Sequence, residues 1–130
     1  ISKALFQHHM YHCGMLKSGL ILSQVINEDT ENQYYQVSMI SDEGKAVSFH
    51  DRNSKPYFRF TSGPVNHSMA VTDNSLFFFE YKSGSLSRTK ITITGAKLSN
   101  VMPFYIGGND YLIEDFSDTG KERLFLVHVK

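Results

Sequence analysis

The sequence has one cysteine, three prolines and no excess of charge of either sign. Cys13 alone cannot close an internal disulfide, and a single thiol leaves the redox compartment open. Thirteen Lys and Arg residues balance thirteen Asp and Glu. No overall field therefore draws the chain to a phosphate backbone or an anionic lipid surface. No window gathers the basic cluster that a nucleic-acid footprint needs, so nucleic acid is not expected as a partner. No run approaches the roughly 20 apolar residues of a membrane span, so no membrane contact is expected for this fragment. The N-terminus lacks the basic start and apolar run of a signal peptide. The chain begins at Ile1 and not at Met, from which a processed or trimmed product is expected.

What is present is apolar and aromatic. Hydrophobic residues make up 41% of the 130, with ten Phe and seven Tyr, which is too much for a disordered chain and enough for one core. A single globular domain over residues 1–130 is expected. Its class reads as α+β but mostly β: an N-terminal helix over residues 1–18, then an antiparallel meander or sandwich of about eight to ten strands over 19–130. The helix rests on Ala4, Tyr11 and Met15 sharing one helical face, a candidate N-cap at Ser2, and Lys17-Ser18-Gly19 as a stop signal.

Past Gly19 the texture changes to short alternating runs parted by turn residues. Strands are expected over 19–26, 33–40, 45–49, 56–61, 67–72, 75–82, 87–94, 101–106, 110–116 and 122–129. In the run at 75–82, Phe77, Phe79 and Tyr81 occupy one face while Leu76 and Phe78 occupy the other, so a central strand is expected there. Ser83-Gly84 should turn it into a hairpin, and Gly107-Gly108-Asn109 and Asp118-Thr119-Gly120 should turn a closing three-stranded meander.

Few constellations carry chemistry. On a helix, His8 and His12, or His9 and Cys13, sit four apart on one face, a spacing able to hold zinc, but no third ligand follows at a recognisable spacing. A histidine-rich, partly wet helix is the plainer reading. His50-Asp51 could supply an acid and a base, yet neighbours on a strand point to opposite faces, and Asn53 and Ser54 favour a loop. Gly44-Lys45 and Gly120-Lys121 lack the other residues of a phosphate loop, and nothing resembles a nucleophile elbow or a calcium loop. No cofactor and no catalytic residue is expected, and the chain reads as no enzyme. The aromatic excess points to a binding face in addition to a core. Tyr34, Tyr57 and Tyr105 are the candidate ligand-binding residues, because Tyr35, Phe58 and Phe104 beside them suit the core better.

At Met15-Leu16-Lys17-Ser18-Gly19-Leu20-Ile21-Leu22 a helix would pass into a strand, and Leu76 to Gly84 followed by Lys90-Ile91-Thr92-Ile93 forms a later hairpin. This order resembles the globular domains of minor pilins and pseudopilins, in particular the FimT-like group, without their N-terminal hydrophobic helix. The resemblance implies a non-catalytic assembly or adhesion subunit with protein partners, presented outside the cell or in the envelope. The alternative is a self-contained β-sandwich that binds a glycan or a receptor, a reading that also suits a viral or phage structural domain.

Overall fold

Extended strands, several of them alternating buried with exposed side chains, organise the described chain from its first strand onward. The computed structural model describes residues 10–26, 34–51, 58–72, 75–95, 98–118 and 120–130. Eleven strands lie among them, in three antiparallel sheets, and no helix occurs among the described residues.

The first sheet is a meander of β1 (Met10–Leu16), β2 (Gly19–Ile26), β3 (Tyr34–Ser41) and β4 (Ala46–Asp51). This corrects the expected N-terminal helix, and with it the α+β class: the described fold is all-β. Residues 1–9 of that helix lie outside the described residues. From Cys13 to Leu16 exposure alternates, with Gly14 and Leu16 buried and Cys13 and Met15 exposed, which is the period of a strand. Lys17-Ser18 is a two-residue hairpin turn closing β1 on β2 with Leu16 opposite Gly19, so residues taken as a helix stop are turn residues. Tertiary contact fixes the choice. A Cβ on Gly14 would meet the carbonyl oxygen of Thr61 and the Cβ of Phe60, so this strand runs against another backbone where only glycine fits. Two hydrogen bonds then sew the end of β1 to the neighbouring loop: Gly63 N–H donates to the Met15 carbonyl at 3.0 Å, and Lys17 N–H to that of Pro64 at 3.3 Å.

The second sheet runs β5 (Arg59–Phe60), β6 (His67–Thr72), β7 (Ser75–Lys82) and β8 (Ser85–Lys90). It is the middle layer. Phe60, Ala70, Phe79 and Leu86 pack against Leu16, Ile21, Val37 and Met39 of the first sheet in one core cluster that also holds Phe58. Met69 and Leu76 pack on the other side against Val101, Tyr111 and Ile113 of the third sheet. β7 is therefore apolar on both faces, as its sequence predicts, with Phe77 and Phe79 in or against the first cluster and Leu76 and Phe78 in or against the second. Phe79 is fully buried, its ring meeting those of Phe58, Phe60 and Phe49 edge-on at 5.5, 5.6 and 6.4 Å.

The third sheet has the order β11-β10-β9, from β9 (Val101–Gly107), β10 (Asp110–Asp118) and β11 (Lys121–His128). Pro103 sits on its outermost strand β9, and Pro64 in the loop before β6, where a missing N–H breaks no ladder.

Candidate functional site

The third sheet has an unusual outer face, and its origin can be followed residue by residue. β10 sits between two partners. Phe116 N–H donates to the Asn100 carbonyl and Val129 N–H to that of Asn109, each at 2.8 Å. Antiparallel pairs alternate between bonded and non-bonded, so the even residues of β10 bond to β9 and the odd residues to β11. Odd side chains of β10 point inward: Tyr111, Ile113 and Asp115 are fully buried.

The inward polar groups set this register. His67 of β6 is buried, with Nδ1 2.8 Å from the Tyr111 hydroxyl and Nε2 3.3 Å from Asn109 Oδ1. Asn109 Oδ1 only accepts, so Nε2–H donates to it; in the neutral ring Nδ1 then accepts the Tyr111 hydroxyl proton. Burial drives the His67 pKa below its ordinary 6.5, against smaller opposing effects from the Asn109 bond and the Glu80 charge. Tyr111 is held protonated above its usual range by burial, with a lesser contribution from Tyr105. Asp115 accepts from Ser117 N–H at 2.9 Å and from Arg123 Nη2 at 2.6 Å, across the strand pair 115/123. Burial alone would raise the Asp115 pKa, but the Ser117 bonds and the Arg123 bond and charge together hold it below the ordinary value.

A group whose folded pKa is lowered, as for His67, binds fewer protons folded than unfolded once the pH falls below about 6.5. Its contribution to stability is complete above that value and is lost as the pH falls toward the folded pKa. Thermal melting should therefore drop between about pH 7 and about pH 5, and the drop should be smaller in His67→Gln, whose side chain does not titrate. An equal drop in both proteins would remove His67 as the cause.

With the odd residues committed inward, the even ones face out, and they are not polar. Met102, Phe104 and Ile106 of β9, Phe116 of β10 and Leu124 and Leu126 of β11 are all exposed, Leu124 to 59% and Leu126 to 69%. Phe104, Leu112 and Leu126 form one row across the sheet, and Met102, Glu114 and Leu124 form the next. At the free edge of the middle sheet β8 does the opposite, exposing Ser85, Ser87, Thr89 and Lys90. Six large apolar side chains exposed on one sheet face are the kind of patch that marks an interaction site.

A second feature borders β9. An open cleft of about 760 Å³ lies between β5 and β9, lined among others by Arg59, Thr61, Ser62, Ser99 and Asn100. It offers one cation, hydroxyls and amides.

Of the expected site residues, Tyr105 is the one whose side-chain surroundings the structure describes. Tyr105 packs against the second core cluster, its ring 5.4 Å from that of Tyr111, and its hydroxyl donates to the Gly108 carbonyl at 2.9 Å. The expected assignment of Tyr105 outward and Phe104 inward is reversed, because β10 fixes the parity of β9. Tyr34 lies on β3 opposite Ile26, and Tyr57 lies outside the described residues. His50 and Asp51, expected in a loop, are backbone partners of Gln36 and Tyr35 on β4. The zinc spacing at His8, His9 and His12 loses its helix: His12 is on β1 next to exposed Cys13, while His8 and His9 lie outside the described residues. No group of three or more metal-ligating side chains occurs among the described residues. His128 bonds Asp110 Oδ1 through Nδ1 at 2.6 Å, across the strand pair 110/128. His67, Asp115 and Arg123 escaped the sequence reading, although a carboxylate in phase with inward Tyr111 and Ile113 was a signal that a partner had to exist.

These features define an all-β protein of three stacked sheets with one outer face left apolar. The chain matches no known family model, no curated protein and no solved structure.

Proposed function

We propose that this chain is a non-catalytic assembly or adhesion subunit that engages a protein partner through the outer face of its third sheet. The observation that carries the reading is the row pattern of Met102, Phe104, Ile106, Leu124 and Leu126, apolar where the pleat points to water. Interfaces hold apolar and aromatic groups at their centre and charged groups at their rim, and this face has Glu114 as its one interior charge with Asp110 and His128 at its border. Burying such a patch against a partner removes from water the surface that folding leaves wet.

A photo-crosslinking amino acid at position 104 or 126, in the chain expressed in its natural setting, should give an adduct of discrete mass. The same group at position 89, on the solvated strand β8, should give none. Absence of a discrete adduct from 104 and 126 would overturn the reading. The cleft beside β9 favours a second reading, a ligand-binding module, since Arg59 and its hydroxyl neighbours suit a polar or anionic ligand. Binding of a glycan lost in Arg59→Ala, with silent crosslinkers on the third sheet, would favour that reading instead.

A further inference from the structure

We infer that β11, at the edge of the third sheet, pairs antiparallel with β11 of a second copy of this chain in a register that places Glu122 opposite His128. The inference goes beyond the proposed role of the outer face, which this edge contact leaves open to a further partner. Residues 123, 125, 127 and 129 bond to β10, so the backbone N–H and C=O groups of 122, 124, 126 and 128 face the other edge of β11. No strand pairs with that edge among the described residues. Soluble proteins guard such edges with proline, lysine, bulges or a covering element. Positions 122 to 128 carry no proline and no lysine, and the one bulge of this pair lies at their start, between Lys121 and Arg123 on β11. The opposite edge of the sheet is guarded. By the same alternation Pro103 faces the free side of β9, where its missing N–H removes a donor from any incoming strand.

The free positions of β11 read Glu122, Leu124, Leu126, His128, and this series is complementary to its own reverse. Set antiparallel about Phe125, Glu122 faces the other copy's His128 and Leu124 faces its Leu126, in both halves of a two-fold contact. A C2 interface demands this self-complementarity. His128 donates to Asp110 through Nδ1, and when the ring carries both protons Nε2–H can donate to a second carboxylate. The contact joins two three-stranded sheets into one of six and makes the two apolar patches continuous on one side. With Pro103 on both new outer edges the assembly stops at two chains.

Sedimentation equilibrium of the purified chain tests this. The wild type should form dimers and no larger species. Leu126→Pro removes a donor that points away from β10, and should raise the dimer dissociation constant more than about tenfold while the dilute protein still melts cooperatively. Leu124→Lys, which keeps the N–H and sets a charge opposite the other copy's Leu126, should do the same should the proline variant fail to fold. Phe104→Thr, on the far strand of the same face, should leave the dimer intact. A wild type that stays monomeric overturns the inference, as does a dimer that survives Leu126→Pro and Leu124→Lys or that Phe104→Thr abolishes. A monomeric chain that still crosslinks from position 104 to a different protein would retain the assembly role and lose only the self-pairing.

Discussion

Phe79→Ala is expected to destabilise the protein by about 3–5 kcal/mol, whereas the same truncation at Phe104 should cost less than about 1 kcal/mol. Both are phenylalanines on strands, and chemistry alone does not separate them. Phe79 is fully buried in the middle sheet, touching rings from β4, β5 and the segment before β5, so its removal leaves a cavity that three elements would have to collapse to fill. Phe104 stands on the outer face with 43% of its surface in water, and its removal leaves no enclosed void. Against a total stability of about 5–15 kcal/mol typical of single domains, the first loss is a fifth or more and should lower the melting temperature by on the order of 10–20 °C. Denaturant unfolding of the two variants beside the wild type measures the contrast directly. Equal losses would show that the third sheet is packed on both faces.

Arg123→Leu should be nearly as damaging, at about 2–4 kcal/mol near neutral pH, because it strands the buried Asp115 carboxylate. The lower part of the usual range is expected, since the Arg123 side chain is 39% exposed and water screens part of its charge, and since the Ser117 bonds to Asp115 remain. The pH dependence supplies the sign. In the wild type the Asp115 pKa is lowered, so its contribution is present above the unfolded value near 3.8 and is lost as the pH falls through the folded one. Without Arg123 the bond and the charge that help to lower this pKa are gone and it rises from its wild-type position, so the penalty in Arg123→Leu should shrink on acidification as the carboxyl takes up a proton. Urea midpoints of both proteins between about pH 7 and about pH 4 should therefore converge. A difference that stays constant over that range would mean that Asp115 is not the source. The double variant Asp115→Leu/Arg123→Leu should recover most of the loss, as apolar pairs often replace buried ion pairs at little cost.

Much of the sheet structure is legible in the sequence. Strands β2, β6 and β7 begin and end where alternation and turn residues place them, and the hairpin at Ser83-Gly84 has both residues at positive φ, 53° and 84°, as a two-residue turn of this hand requires. The central place of β7 also follows from its two apolar faces. The N-terminal helix failed for a tertiary reason: Gly14 is set by the close approach of the Thr61 backbone, and nothing local to residues 10–18 reports a contact made 47 residues later. The assignment of Tyr105 outward and Phe104 inward failed for a different one. On β9 both faces are apolar, so the alternation of Met102, Phe104 and Ile106 with Val101, Pro103 and Tyr105 does not say which set meets water. That choice is made on β10, where Tyr111 meets His67 of another sheet and Asp115 meets Arg123 of the next strand. Aromatic abundance pointed toward a binding face. It singled out tyrosines, whereas the exposed face is built of Met, Phe, Ile and Leu.

The central claim is that the outward side chains of the third sheet serve a partner and not the fold, and the double variant Leu124→Thr/Leu126→Thr tests it most directly. Threonine keeps the strand preference of these positions while removing their apolar surface. Melted in dilute solution, where association contributes nothing, the variant is expected to lie within about 2 kcal/mol of the wild type. A loss of about 5 kcal/mol or more, the cost of truncating two core leucines, would place Leu124 and Leu126 inside the folded core and contradict the claim.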